Sequence, residues 1–291
     1  RGGEDAIMID MNLFIAIAAA SMLTGTMLLM WIGEQITQRG IGNGISLIIF
    51  AGIVSGIPSA IGGTVNLVNT GEMNFLVVIV ILLVILVTVG IVIYVEMGER
   101  RVPVSYSRKV VMENQNKRIM NYIPIKVNLS GVIPPIFASA ILMFPSTILQ
   151  ASTNPYIQAI HDFLNPNSYF FNFLTFLLVV FFAYFYASIA FNAKDISENL
   201  KRQGGFIPGI RPGEGTAGYL NEVASRLTFS GAIYLGLIST LPWVLVKIMG
   251  VPFYFGGTSV LIVVSVALDT MRRIEAQIYM NKYQTLSAVG L

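Results

Sequence analysis

The stretch MNFLVVIVILLVILVTVGIVIYV, residues 73–95, decides the fold of this chain. It contains no charged residue, and Val, Ile and Leu occupy every face of the helix it would form. A helix that crosses a bilayer needs about 20 predominantly apolar residues, and this stretch reaches that length. A strand of a membrane β-barrel would instead alternate apolar and polar residues. The stretch therefore predicts a transmembrane helix that faces lipid over much of its surface.

Further runs of the same kind follow along the chain. The segments that lack Asp, Glu, Lys, Arg and His, besides the one above, are 11–33, 40–71, 127–160, 163–193, 227–246 and 248–268. Charged residues make up 11% of the chain, whereas a soluble domain has about 25%. We predict an all-α fold, a polytopic helical membrane protein with seven spans at about 12–31, 41–61, 74–95, 128–149, 169–191, 228–248 and 254–271.

The basic residues predict the orientation of the spans. Alternation of seven spans places residues 32–40, 96–127, 192–227 and the C-terminal tail on one side, and these segments hold 16 of the 18 basic residues. The positive-inside rule makes that side cytoplasmic, the C-terminus included. We therefore expect a multi-pass membrane protein. Arg108, Lys109 and Arg211 should face the cytoplasm, while Glu72, His161 and Lys247 should face outward.

The composition excludes several kinds of chemistry. The chain has no cysteine, its only histidine (His161) lies in a polar connection, and the predicted spans contain charges only near their ends, at Lys247 and Asp269. A membrane-embedded enzyme needs a nucleophile and base or a metal cluster, so we expect no enzyme, no metal and no cofactor. Two function classes stay open, a passive channel and a secondary transporter of a small solute. Transporters also use Gly- and Pro-interrupted helices, but the absence of charges from the middle of every predicted span favours the channel.

Two polar segments are too long to be simple connections. GERRVPVSYSRKVVMENQNKRIMNYIPIKVN, residues 98–128, alternates apolar and polar residues on either side of a polar centre, which predicts a protruding hairpin with two extended arms. In the second segment Asp195 is positioned to cap a short helix that Gly204 would end. Pro208 and Pro212 restrict the backbone around Arg211 and predict a stiff, exposed tip.

Two of the spans contain residues that disturb a helix. Residues 41–61 carry Gly, Ser, Asn and Pro, and residues 128–149 contain the pair Pro134–Pro135, which should kink the helix. Such spans occur where helices pack closely or where they line a water-filled path.

Four stretches of the chain resemble a known family. They are GEQITQRGIGNGISLIIFAGIVSGIP (33–58), KVNLSGVIPPIFASAILMFP (126–145), GGFIPGIRPGEGTAGYL (204–220) and PFYFGGTSVLIVV (252–264). They are similar to signature stretches of the SecY family, the central subunits of the bacterial Sec protein-conducting channel. The resemblance runs from about residue 12 to about 285, with the loops in matching order.

The resemblance implies an architecture and a set of partners. The family has ten transmembrane helices in two halves, and the seven spans match the fourth to the tenth. Residues 1–61 would then end the N-terminal half, and residues 62–291 would form the C-terminal half with its cytoplasmic loops at 96–127 and 192–227. The chain would be a fragment of the family's full length. Its place would be the bacterial cytoplasmic (inner) membrane. The implied partners are SecE, SecG, the SecA motor, the ribosome, signal peptides, unfolded polypeptides and membrane lipids.

The resemblance also implies functional residues. Carried over residue by residue, a hydrophobic pore ring falls on Ile45, Ile49, Ile136 and Ile262. Residues of the loops that dock the motor or the ribosome fall on Arg100, Arg101, Arg108, Lys109, Lys117, Arg118, Arg211 and Glu214. Clustered cations on projecting loops suit acidic protein surfaces and RNA phosphate.

Overall fold

A computed structural model describes residues 10–40, 42–106, 121–150, 156, 158, 163–249 and 257–288. Most of these residues are helical, as predicted. The helices are α1 (Met11–Arg39), α2 (Gly44–Ser55), α3 (Ile57–Asn69), α4 (Phe75–Met97), α5 (Ile133–Gln150), α6 (Tyr169–Ala190), α7 (Ala193–Arg202), α8 (Glu214–Met249) and α9 (Gly257–Ala288). Three short strands accompany them: β1 (Glu99–Tyr106), β2 (Asn121–Lys126) and β3 (Gly205–Phe206).

Six helical segments of the described residues are long and apolar enough to cross a bilayer by length and composition. Their bounds are Met11–Arg39, Gly44–Asn69, Phe75–Met97, Ile133–Gln150, Tyr169–Arg202 and Glu214–Ile248. The seventh predicted span, 254–271, begins outside the described residues, and its helix α9 is not among the six. The described uncharged part of α9 runs only from 257 to 268, because Asp269 follows, and this length is too short to cross a bilayer alone.

The chain divides into two compact units. One unit comprises Arg1–Ile61 together with Val266–Leu291, and the other comprises Gly62–Ser265. The first cut lies at the position where the sequence resemblance predicts the boundary between two halves. The last part of α9 groups with the first unit, whereas the resemblance assigns it to the second half.

In the first unit, α1 and α2 approach each other closely at two glycines. A Cβ atom on Gly44 would collide with the carbonyl oxygen of Gly33, so this crossing requires glycine. The Thr37 hydroxyl joins the two helices, since it donates to the Gly33 carbonyl oxygen (2.9 Å) and accepts from the Gly44 amide (2.8 Å). The Asn43 side chain caps α2 by accepting from the Ile45 amide. Gly44 of the predicted span 41–61 thus serves helix packing.

The predicted span 41–61 is not one uninterrupted helix. It divides into α2 and α3 at Gly56, whose amide donates back to the carbonyl oxygen of Ile53. Pro58 has no amide hydrogen and occupies the first turn of α3, where amides have no partner within the helix. The chain therefore restarts a helix at this point.

In the second unit, α6 packs between α5 and α8. Gly236 of α8 lies against the ring of Phe176. A Cβ atom on Gly236 would lie only 2.5 Å from the nearest ring carbon. Gly231 likewise allows α8 to approach the backbone of Val127. A Cβ atom on Gly231 would lie 2.8 Å from the Val127 carbonyl oxygen. The residues just after the hairpin are therefore packed directly on α8.

The predicted kink at Pro134–Pro135 is wrong. Both prolines are buried in the first turn of α5, which begins at Ile133. A proline is tolerated there because the amides of the first turn have no acceptor within the helix. The proline inside α5 is Pro145.

The two polar segments contain a pair of strands and a capped helix, α7. The extended arms of the first segment are confirmed by β1 and β2, which pair as antiparallel strands. The expected cap of α7 is wrong: the helix begins at Ala193, and the Asn192 side chain accepts from the amides of Lys194 and Asp195. Asp195 lies in the first turn, and its Oδ2 accepts a hydrogen bond from the Asn192 side-chain Nδ2 at 2.6 Å.

Candidate functional site

The two long polar segments of the second unit are joined by a small sheet. Strand β1 lies in the centre, with β2 on one edge and β3 on the other, in the order β2-β1-β3. Antiparallel pairing places Arg100 opposite Ile125 and Arg101 opposite Pro124. At the other end of β1, Ser105 pairs with Phe206 and Tyr106 with Gly205. Main-chain hydrogen bonds therefore join the two arms of the hairpin to the segment that begins with β3, and together they form one surface.

A hydrophobic cluster supports this surface from one side. Its buried members are Val102, Val104, Ile125, Ala193, Leu200, Ile207 and Leu220. They come from β1, β2, α7, α8 and the segment after β3, so burial of their apolar area couples all five parts. Two side chains lie close to the Gly205 backbone here: a Cβ atom on Gly205 would lie 2.8 Å from the Leu200 side chain and 3.0 Å from the Tyr106 ring.

Arg211 lies exposed between two glycines whose backbone angles favour glycine. Gly209 has a φ of 84° and Gly213 a φ of 95°, in the left-handed region that side chains with a Cβ atom rarely adopt. The Thr216 hydroxyl donates to the Arg211 carbonyl oxygen at 3.0 Å. The Ser197 hydroxyl of α7 donates to the Gly213 carbonyl oxygen at 2.6 Å. Hydrogen bonds thus hold the backbone of the tip at Arg211 and at Gly213, and the exposed Arg211 side chain extends from this restrained backbone.

Glu214 stands beside this tip at the first position of α8, and its side chain is exposed. A carboxylate at this place is favoured by the positive end of the helix dipole. The tip therefore presents one cation and one anion three residues apart.

Arg101 lies on the exposed face of β1. Its Nε atom donates to Glu99 Oε1 at 2.7 Å, and its guanidinium carbon stands 4.8 Å from the centre of the Tyr122 ring. The hydrogen bond to Glu99, and secondarily the nearby Tyr122, raises the pKa of Arg101 above its ordinary value. The side chain is 63% exposed, so it is held in place and remains accessible.

Arg100 belongs to the opposite face of the strand. It shares that face with the buried Val102 and Val104, since side chains alternate along a strand. It lines a cavity against α8 together with residues that include Tyr219 and Arg226. The structure therefore places Arg100 and Arg101, which the resemblance assigns to one docking loop, on opposite faces of β1. The remaining predicted docking residues, Arg108, Lys109, Lys117 and Arg118, lie outside the described residues, as does His161.

The four isoleucines of the predicted pore ring divide between the two units. Ile45 and Ile49 lie one turn apart on α2, and Ile45 packs on Gly33 while remaining 51% exposed. In the other unit, Ile136 is half-buried in the first turn of α5, and Ile262 of α9 is buried. The ring stays a prediction.

A polar network at the base of the hairpin was not predicted. The Asn128 side chain, which is buried, donates to Glu96 Oε1 at 2.7 Å and to the Gly131 carbonyl oxygen at 3.2 Å. The Ser130 hydroxyl donates to Asn128 Oδ1 at 3.2 Å. These bonds connect the end of α4 to the segment that leads into α5. The sequence signal for this network is a charged residue, Glu96, directly after an apolar run, together with an Asn two residues after the end of the second strand.

The comparisons with known proteins agree on one family. The family model of SecY matches residues 4–271. A protein translocase subunit SecY of Helicobacter pylori is 72% identical over 290 residues, which cover 99% of this chain and 69% of that protein. The subunit of the same name from Escherichia coli K12 is 42% identical over 280 residues, and the one from Vibrio cholerae is 40% identical over 294. The chain spans 62% and 65% of their respective lengths.

Solved structures share the fold. One, from work on how the SecY plug domain stabilises the closed translocation channel, has a TM-score of 0.66 at 20% identity and covers 94% of this chain and 69% of its own. Another, described as the structure of a protein conducting channel, has a TM-score of 0.66 at 19% identity, with coverages of 93% and 67%. Since the family model matches nearly the whole chain and a relative is 72% identical over 99% of it, the chain belongs to the SecY family.

Proposed function

We propose that this chain forms the larger part of a channel subunit that passes unfolded secretory polypeptides across a bacterial cytoplasmic membrane and releases membrane segments into it. The family assignment supports this function, because the relatives are protein translocase subunits. It does not favour a secondary transporter. Among the described residues no group of three or more His, Asp or Glu side chains could hold a metal ion. We propose a channel that carries out no covalent chemistry of its own.

The observation that carries the proposal is the sheet that joins the two long loops. A passive channel needs a partner to drive its substrate, and the partner needs a rigid surface on which to push. Strand β1 provides such a surface. It pairs with β2 of its own loop and with β3 of the other loop, and a buried hydrophobic cluster supports it. We propose that Arg101, Arg211 and Glu214 on this surface dock the SecA motor or the ribosome. SecE and SecG would complete the channel.

The test is translocation by the full-length protein, reconstituted in vesicles with SecE, SecG and SecA. A labelled unfolded preprotein should become protected from added protease when ATP is supplied. The same vesicles without the full-length protein give the baseline. Protection equal to that baseline would contradict the proposed function.

We propose that the sheet surface faces the cytoplasm. In α8 the uncharged run 227–246 lies between Arg226 and Lys247, so the two ends of the helix are marked by charge. At the Lys247 end, the ammonium stands 5.5 Å from the Tyr169 ring centre, and the Trp243 indole donates to the Asn167 carbonyl oxygen. Aromatic residues of this kind are enriched at membrane interfaces. The many basic residues near the opposite end support a cytoplasmic assignment for that end.

Single cysteines in the full-length protein test this orientation, and this chain contributes no cysteine of its own. In intact spheroplasts, Glu72→Cys is expected to react with a membrane-impermeant maleimide. Arg202→Cys, on α7 beside the sheet surface, is expected to react only after lysis. Both positions are exposed, so accessibility within the protein does not limit the reaction. Labelling of Arg202→Cys from outside would contradict the orientation.

A further inference from the structure

The hairpin of β1 and β2 closes at its base on the end of α4. The Val127 amide donates to the Gly98 carbonyl oxygen at 3.0 Å, directly below the strand pair of Glu99 and Lys126. A Cβ atom on Gly98 would lie 3.1 Å from the Val127 side chain, and Gly231 of α8 packs on the Val127 backbone. Close backbone contacts therefore fix the point from which the chain leaves β2 towards α5.

Asn128 holds the turn that follows. Its Nδ2 atom donates to Glu96 Oε1 at 2.7 Å and to the Gly131 carbonyl oxygen at 3.2 Å, while its Oδ1 atom accepts from the Ser130 hydroxyl. An asparagine side chain has two N–H donors and one acceptor oxygen, and all three are used here. The side chain is buried, so loss of these bonds would leave polar groups without water to replace them. The Asn128 side chain therefore ties the turn to the end of α4.

The turn leads directly into the helix that carries Ile136. Helix α5 begins at Ile133, five residues after Asn128, and Pro134 and Pro135 are buried in its first turn. Proline fixes its own backbone angle, so this start of the helix is stiff. A displacement of the turn would therefore move the first turn of α5 as one piece, and Ile136 with it. The bonds of Asn128 thus decide where Ile136 stands relative to α4.

We propose that Asn128 is a positioning residue for the closed channel, which holds Ile136 in place by joining the end of α4 to the turn before α5. This inference rests on the proposed channel function and on the predicted place of Ile136 in the pore ring. A hydrophobic constriction excludes water only while its side chains stay close together, so a small shift of one member opens it to water. The bond to the Glu96 carboxylate is charge-assisted, and such a bond can bias a position about tenfold.

The experiment uses the full-length protein with its partner subunits. Asn128→Asp keeps the shape of the side chain and places a second carboxylate beside Glu96. Closed-channel conductance in planar bilayers and export of a substrate with a defective signal sequence should both rise about tenfold. Glu96→Ala removes the acceptor without adding a charge, and both quantities should rise less. The double variant Asn128→Asp with Glu96→Gln reverses the direction of the hydrogen bond and should restore part of the selectivity, which a general packing defect would not do.

A second buried asparagine supplies the matched control. Asn172 donates from Nδ2 to the carbonyl oxygens of Pro166 and Ser168, at 2.8 and 2.9 Å, and so anchors the start of α6. Asn172→Asp should leave conductance and selectivity at wild-type levels. Equal rises in Asn172→Asp, or wild-type values in both Asn128→Asp and Glu96→Ala, would overturn the inference. Translocation of a preprotein with an intact signal sequence by the unmodified protein is measured alongside, because its failure would contradict the proposed function instead.

Discussion

Arg211→Glu in the full-length protein is expected to reduce polypeptide translocation at least tenfold while leaving membrane insertion and abundance normal. The side chain is exposed and lies outside the buried cluster, so the substitution removes little packing. A presented guanidinium forks onto carboxylate or phosphate, and a glutamate in its place repels both. Vesicle translocation of a labelled preprotein measures the effect, and immunoblotting of membranes measures the abundance.

The structure supplies a matched control for this charge reversal. Arg202→Glu places the same charge on α7, near the same surface, at an exposed residue whose guanidinium lies 4.0 Å from Glu198. The Arg202→Glu protein should retain most of the translocation activity, because Arg202 is not part of the tip. Arg101→Glu should behave like Arg211→Glu but more weakly, since other cations stand near it. Unchanged translocation by Arg211→Glu would show that the tip contributes only charge for membrane orientation.

Ile136→Asn is expected to raise ion leak through the closed full-length channel and to relax its requirement for a good signal sequence. A narrow hydrophobic constriction holds back ions by excluding water, and a polar amide in the ring would admit water. Isoleucine suits such a ring because it is branched, apolar and inert. Ile136 is half-buried and follows two buried prolines that pack at the start of α5. Planar-bilayer conductance and export of a substrate with a defective signal sequence measure the two effects.

Ile79→Asn is the control for this substitution. Ile79 is 50% exposed on α4, the helix whose sequence is apolar on every face. The same amide there should lower insertion efficiency without opening a water path. If conductance and export of the defective substrate stayed at wild-type levels in Ile136→Asn, Ile136 would not line the pore.

The sequence alone determined the class of fold and the positions of its main parts. A run of about 20 apolar residues can satisfy its backbone in lipid by itself only as a helix, because a β-strand needs neighbouring strands. Length and composition therefore predict a span without knowledge of its neighbours. The alternation in residues 98–128 likewise predicted the arms that form β1 and β2. Both signals are local, because each follows from the period of a single element.

Only the tertiary structure decided how the polar segments combine. Strand β3 has two residues and no periodicity, and its pairing with β1 depends on contacts about 100 residues apart in the chain. The separation of Arg100 from Arg101 follows from which face of β1 the buried cluster covers. The structure also decided that α5 begins at Ile133, with Pro134–Pro135 in its first turn, and that Asn192 caps α7. Such choices depend on packing between distant segments, which composition and spacing within one segment do not contain.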